Sequence, residues 1–187
     1  MMTGAMCRWG FLSTAAIARK NWKAVHLCGN GRVSAVASRS VAKAQSFIDE
    51  CMAEVPQQQE VSAVGSYADL IERDDVDAIY IPLPTGLRKE WVLAAAKAGK
   101  HVLVEKPMAA SLAQADAMLA AARQNNVRLM VNWPFAWWPQ LQHALNLACE
   151  GVIGDLWQVK YRAAHAGPQE LGCSPAFCDW LFDPQLN

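Results

Sequence analysis

His101-Val102-Leu103-Val104-Glu105-Lys106-Pro107 is the stretch that decides the fold. It begins as a short apolar run, the mark of a strand buried on both faces of a parallel sheet. It ends in a carboxylate, an amine and a proline, none of which belongs in a sheet core. Pro107 has no N–H to donate, so it stops the ladder, and the Lys106–Pro107 bond is one of the few kinds that can adopt the cis form. Residues at the carboxyl ends of strands in an open α/β sheet face the ligand crevice. Lys106 beside Glu105 is therefore a candidate catalytic or substrate-binding group. The plainer alternative is a solvated lysine at a strand end, and the rest of the chain has to decide between them.

Upstream of this run the chain alternates short apolar strands with helices. Asp77-Ala78-Ile79-Tyr80-Ile81 reads as a strand ending in Pro82-Leu83-Pro84-Thr85-Gly86, and the two prolines make a rigid ledge. A helix from Leu87 to Ala98, with Gly99 placed to end it, leads into His101. Earlier come a strand over Arg8–Leu12, a second over Arg32–Ala37 and a short third over Val61–Val64. A helix covers about Val41 to Ala53, and Ser66 caps a short helix with Asp69 at its third position. Downstream, Ser111-Leu112-Ala113-Gln114 is a capping-box pattern, and Leu112, Ala115, Met118, Leu119 and Ala122 recur at helical spacing as a core face. Arg128–Asn132 reads as a sixth strand. Six short strands with helices between most of them predict a doubly wound, mostly parallel α/β sheet over residues 1–132.

The first strand runs into Ser13-Thr14-Ala15-Ala16-Ile17-Ala18, small residues opening a helix. Strand, tight small-residue turn and helix is how dinucleotide folds begin, but the three glycine places of G-x-G-x-x-G hold Ser13, Ala15 and Ala18. Small side chains still let the backbone approach a pyrophosphate, the hydroxyls of Ser13 and Thr14 can donate, and the helix N-terminus attracts the anion. After the second strand stand Ser38-Arg39-Ser40, with Lys43 one turn into the next helix. An acidic residue there would suit the ribose hydroxyls of NAD. Arg39 suits the 2′-phosphate of NADP, which is the favoured cofactor, with NAD the alternative.

Beyond Asn132 the character changes. Trp133-Pro134-Phe135-Ala136-Trp137-Trp138-Pro139 is an aromatic loop broken by proline, and five of the eight tryptophans fall after residue 132. Gln140–Glu150 reads as a helix with Leu141, Leu145 and Ala148 on one face. Asp155-Leu156-Trp157-Gln158-Val159-Lys160-Tyr161-Arg162 alternates apolar and polar residues, as in an antiparallel strand with one solvated face. Residues 133–187 are thus expected to begin an α+β domain with an open antiparallel sheet. A single strand cannot cover its own apolar face, so this domain looks incomplete, either a fragment or covered by a partner subunit.

The 187 residues carry 17 Lys+Arg against 17 Asp+Glu, so nothing in the net charge calls for nucleic acid or an anionic membrane. The six cysteines are scattered without a C-x-x-C pair and read as reduced thiols, and no metal site is expected. No secretory signal opens the chain and no apolar run approaches the ~20 residues of a membrane span. A cytoplasmic protein acting on a small molecule is the expectation.

Taken together, Gly10-Phe11-Leu12-Ser13-Thr14-Ala15-Ala16-Ile17-Ala18, then Ser38-Arg39, Pro82-Leu83-Pro84 and Ala98-Gly99-Lys100-His101-Val102-Leu103-Val104-Glu105-Lys106-Pro107 resemble the Gfo/Idh/MocA family of NAD(P)-dependent oxidoreductases. Gly151-Val152-Ile153-Gly154-Asp155-Leu156 resembles that family's entry into its second domain. The resemblance implies a Rossmann domain followed by a domain whose open sheet carries the substrate pocket and often an oligomer interface. The reaction implied is hydride exchange between nicotinamide and a carbinol or carbonyl carbon of a sugar, cyclitol or similar polyol. It makes Lys106 the group that contacts the reacting hydroxyl and Glu105 a ligand of the nicotinamide ribose. The cofactor contacts so implied are Gly10, Leu12, Ser13, Thr14, Ala15, Ile17, Ser38, Arg39, Lys43, Pro82, Leu83, Pro84, Glu105 and Lys106. Substrate contacts are expected from Lys106, Arg88, Trp133 and His165.

The chain departs from the family in three places. Thr85-Gly86-Leu87-Arg88 stands where the family usually has Asn-x-x-His, and Trp133–Trp138 replaces an aromatic-arginine stretch. The family's downstream acid–base residues have no counterpart before Asn187, so this chain is expected to bind dinucleotide and turn over poorly or not at all. The alternative is a non-catalytic dinucleotide- or sugar-sensing regulator of the same fold. A methyltransferase is disfavoured, because no acidic residue follows the second strand.

Overall fold

The structure is a computed structural model, which describes residues 6–133 and 137–158. Contacts divide the chain into two compact units, residues 1–132 and 133–187. Unit one holds strands β1 (Cys7–Leu12), β2 (Gly31–Ala37), β3 (Ser62–Val64), β4 (Ala78–Ile81), β5 (His101–Glu105) and β6 (Leu129–Asn132). Between them run helices α1 (Ala16–Leu27), α2 (Val41–Glu54), α3 (Tyr67–Ile71), α4 (Thr85–Lys97) and α5 (Leu112–Gln124). The six strands form one sheet in the order β3-β2-β1-β4-β5-β6, and every neighbouring pair is parallel. This is the order of the doubly wound dinucleotide fold, in which the sense of winding reverses between β1 and β4.

Strand alternation supplies a core on each face. Leu12, Ile79, Ile81, Val102 and Val104 pack with Leu70 of α3, Val92 of α4 and Met118 of α5. Phe11, Val33, Val36 and Tyr80 pack on the other face with Trp22 of α1 and Phe47 of α2. Gly10 sits under a close approach of side chains: a Cβ there would lie 2.7 Å from Leu70 Cδ2 and 3.0 Å from Val76 Cγ1. Any larger residue would force the Leu70 and Val76 side chains to shift.

The strands lie within a residue or two of the positions expected from sequence. Two helices differ. α4 begins at Thr85 rather than Leu87, because Pro84, extended at ψ 146°, delivers the chain straight into the first turn. On α5 only Met118 and Ala122 are buried, and Leu112 is 78% exposed. Leu112 sits in the first turn, and Leu119 lies 100° round the helix from Met118, so neither reaches the sheet.

In the second unit α6 spans Pro139–Cys149, and the chain turns at Gly151 with φ +73°. Residues 155–158 form no strand, and the rest of the expected antiparallel strand, with His165, lies outside the described residues. No described helix is long and apolar enough to cross a membrane, and no group of metal-ligating side chains occurs among the described residues. The described cysteines Cys7, Cys28, Cys51 and Cys149 are free thiols.

At the amino edge of the sheet an ion pair ties β1 to the turn before β4. Arg8 Nη2 lies 2.6 Å from Asp77 Oδ1, and Asp77 Oδ2 accepts both Arg8 Nε at 2.9 Å and the Arg8 backbone N–H at 2.8 Å. These bonds hold the Asp77 carboxyl below the usual carboxylate range, against the opposing effect of burial, and Arg73 does the same for Asp75. A carboxyl whose folded pKa is depressed stabilises the fold above its unfolded value of about 3.9, and that stability is lost as pH falls through the depressed folded value. Urea unfolding midpoints are therefore expected to drop between about pH 5 and pH 2, and Asp77→Asn to flatten that dependence. An unchanged slope in Asp77→Asn would remove Arg8–Asp77 from the account.

Candidate functional site

In a wholly parallel sheet the carboxyl ends of all strands lie on one edge. Here that edge gathers Ser13–Ala15 after β1, Ser38–Arg39 after β2, Pro82–Pro84 after β4 and Glu105–Lys106 at the end of β5.

The turn after β1 is built for an anion. Ser13, standing in the first glycine place, has φ +141°. A serine held there costs of order 1–3 kcal/mol, and its Oγ accepts the Ala15 N–H at 3.0 Å, which fixes the turn. That bond leaves the Ser13 hydroxyl hydrogen to donate outward. α1 has no acidic residue in its first turn, and its N-cap Ala15 supplies no side-chain acceptor. The Ala18 N–H bonds Ala15 O at 2.8 Å, so the amides of Ala16 and Ile17 are the ones left for an outside acceptor, as pyrophosphate binding requires. Ala18, in the third glycine place, is fully buried against the sheet.

After β2, Ser38 is buried and its N–H donates to Val64 O at 3.0 Å, while Arg39 and Lys43 are exposed with their cations free of any described ion pair. Ser40 stands at the N-cap of α2 without a side-chain capping bond, and the first turn of that helix carries no acid. A phosphate at this strand end would therefore meet two cations and no carboxylate.

The ledge after β4 is tied to β5 by Arg88. Its guanidinium donates from Nε to Leu83 O at 2.7 Å, from Nη1 to Glu105 O at 2.8 Å, and from Nη1 to Pro107 O. Arg88 is 4% exposed, and burial pulls its pKa below the usual guanidinium value, against the pull of the Glu105 carboxylate. Arg88 was expected to contact substrate; in the structure its Nε and Nη1 donate to backbone carbonyls, and it fixes the strand ends that carry the site.

At the end of β5, Lys106 is exposed, and the Lys106–Pro107 bond is cis. Glu105 is 9% exposed, and its Oε1 accepts Tyr80 Oη at 2.7 Å and Asn132 Nδ2 at 2.6 Å. Asn21 of α1 donates from Nδ2 to Tyr80 Oη at 2.8 Å, and its Oδ1 accepts Asn132 Nδ2 at 3.2 Å. Burial, reinforced by the bond to Glu105, pushes the Tyr80 phenol far up, so it is a permanent donor.

Thr14, Ala15 and Pro84 are half-buried at this edge, and Ile17 is exposed. Gly10 and Leu12, expected as cofactor contacts, are enclosed: Leu12 is 0% exposed and Gly10 faces Leu70, so both support the turn from beneath. Pro82 and Leu83 are likewise buried in the ledge. Trp133 is exposed, and it belongs to the second unit. Sequence reasoning missed Asn21, Tyr80 and Asn132. Tyr80 stands inside an apolar strand run and Asn21 inside a helix, and nothing local marks either as a partner of Glu105.

The model of the "Oxidoreductase family, NAD-binding Rossmann fold" matches residues 7–133. The chain belongs to the Gfo/Idh/MocA oxidoreductase family. Among its Gfo/Idh/MocA relatives, the dTDP-3,4-didehydro-2,6-dideoxy-alpha-D-glucose 3-reductase of Actinomadura kijaniata is 41% identical over 124 residues, which are 66% of this chain and 35% of that protein. D-xylose 1-dehydrogenase (NADP(+)) 2 of Haloferax volcanii is 37% identical over 139 residues, 74% of this chain and 41% of that one. The solved structure of KijD10, a 3-ketoreductase from Actinomadura kijaniata, in complex with TDP-benzene and NADP in an open conformation, has a TM-score of 0.69 at 37% identity. The match covers 80% of this chain and 45% of that one. The chain thus spans under half the length of these relatives.

Replacing Arg88 by methionine keeps much of the buried volume and leaves three carbonyls without their donor. A loss of about 2–4 kcal/mol is expected, read as a lower thermal midpoint. An unchanged midpoint in Arg88→Met would show that the clamp contributes nothing.

Proposed function

We propose that this chain carries the cofactor site of an NADP-dependent oxidoreductase acting on a sugar, cyclitol or related polyol. The bound nicotinamide would supply or take up the hydride at a carbinol or carbonyl carbon. One arrangement carries the reading: Arg39 at the end of β2 and Lys106 at the end of β5 stand on the same sheet edge, on either side of the β1/β4 reversal. The Ser13–Ala15 turn and the leading amides of α1 hold the pyrophosphate. Arg39 and Lys43 hold the 2′-phosphate, and Glu105 accepts from the nicotinamide ribose. Pro84 and Ile17 border the dinucleotide. Lys106 donates to, or accepts a proton from, the reacting oxygen, which is the proton movement a hydride transfer to or from a carbinol carbon needs. Trp133 and His165 are proposed to meet the substrate. The names of the Actinomadura and Haloferax relatives make nucleotide-linked keto sugars and free aldoses the first substrates to try.

Two measurements test this. Titrating the chain with NADPH and NADH, read through energy transfer from tryptophan, should show tighter binding of NADPH. Arg39→Ala should weaken NADPH by roughly tenfold or more while leaving NADH within about twofold. Equal or tighter binding of NADH overturns the Arg39 assignment. For Lys106, NADPH-dependent reduction of keto sugars by a full-length version should vanish in Lys106→Ala while NADPH binding survives. Turnover that persists in Lys106→Ala overturns the role given to the lysine.

A further inference from the structure

Asn21, Tyr80, Glu105 and Asn132 close a ring of hydrogen bonds drawn from α1, β4, β5 and β6. Tyr80 Oη accepts from Asn21 and donates to Glu105. The two hydrogens of Asn132 Nδ2 serve Glu105 Oε1 and Asn21 Oδ1. Asn21 Nδ2 has its second acceptor at Ile17 O, 3.4 Å away. The other donors and acceptors of the ring have partners; Asn132 Oδ1 and Glu105 Oε2 have no hydrogen-bond partner among the described residues, and of these two Oε2 is the carboxylate oxygen. Arg88 is the nearby cation, yet its bond to residue 105 goes to the backbone carbonyl and leaves the carboxylate alone.

We propose that Asn21, Tyr80 and Asn132 are positioning residues. They saturate Oε1 and fix the carboxylate plane, so that Oε2 is the single oxygen offered to a ribose diol at the nicotinamide end of the cofactor. This rests on the reading of Glu105 given above. Three neutral side chains do what a salt bridge would do less well. A bidentate arginine would occupy both oxygens, whereas this ring orients one and leaves the other to bind. Asn21 also links the carboxylate to α1, the helix whose leading amides face the pyrophosphate. The ring therefore sets the spacing between the two halves of the cofactor site.

The test uses the 187-residue chain, titration calorimetry and two probes. One is NADPH. The other is 2′,5′-ADP, which keeps the adenosine phosphates and lacks the nicotinamide and its ribose. Tyr80→Phe and Asn132→Ala should each weaken NADPH by about tenfold, the loss of one hydrogen bond to a charged group, and leave 2′,5′-ADP within about twofold. In a Glu105→Ala background, Tyr80→Phe should cost nothing further, since positioning residues act only through the group they position. Equal weakening of both probes would mean a general loss of structure and overturn the proposal. So would a Tyr80→Phe loss that persists in Glu105→Ala. If Glu105→Ala weakens NADPH selectively while Tyr80→Phe and Asn132→Ala do not, the ring fails and the ribose reading stands. If Glu105→Ala itself leaves NADPH unchanged, the ribose reading fails and the ring's role goes with it.

Discussion

A parallel strand pair cannot be joined by a tight hairpin, and from that constraint the rest of this unit follows. Each strand must be returned to the starting edge by a crossover, and right-handed crossovers place α1 and α2 on one face and α3, α4 and α5 on the other. The carboxyl ends of β1, β2, β4 and β5 are thereby delivered to one edge. Between β1 and β4 the crossovers diverge and leave that edge open. The chemistry-bearing residues gather there because the backbone has nowhere else to leave the sheet.

Such an edge is mechanically weak unless its ends are tied, since the ladder stops where Pro82, Pro84 and Pro107 lack donors. Arg88 supplies the tie. By donating to Leu83 O and Glu105 O, it replaces ladder bonds that the prolines cannot make and joins β4 to β5 beyond their last paired residues. Arginine suits this because its donors splay in a fixed plane and reach several carbonyls at once. At the opposite edge, Arg8–Asp77 and the Lys100 ammonium, which donates to Arg73 O and Val76 O, tie the amino ends in the same manner. The sheet is thus pinned at both edges by cations bound to backbone or to a strand-end carboxylate.

The alternation of strand and helix was legible because buried parallel strands write themselves as short apolar runs, and Glu105-Lys106-Pro107 stood out because its chemistry contradicts the run before it. What stayed hidden depends on distance along the chain. Asn132 meets Asn21 across 111 residues and Tyr80 meets Glu105 across 25, and no local pattern encodes either contact. The clamp made by Arg88 stayed hidden for a related reason. A charged residue near a strand end reads as a ligand contact, and only the packed structure shows its donors turned inward on carbonyls. Leu112 and Leu119 fit helical spacing and still miss the sheet, since periodicity gives a stripe and the docking angle decides which part of it is covered.

The treatment of Glu105 shows how the fold keeps a buried carboxylate useful. Burying a charge is costly unless hydrogen bonds replace its hydration, and pairing it with a cation would offset that cost while consuming its acceptors. Here the cation is adjacent but committed: Arg88 bonds the Glu105 carbonyl, so its charge steadies the carboxylate through space while its hydrogens stay on the backbone. Neutral donors from Tyr80 and Asn132 take Oε1. The division of labour separates charge compensation from hydrogen bonding, and that separation is what leaves Oε2 free to accept. A carboxylate satisfied wholly by its own protein would be stable and inert. This one is satisfied on one side, at the carboxyl end of β5 beside Lys106.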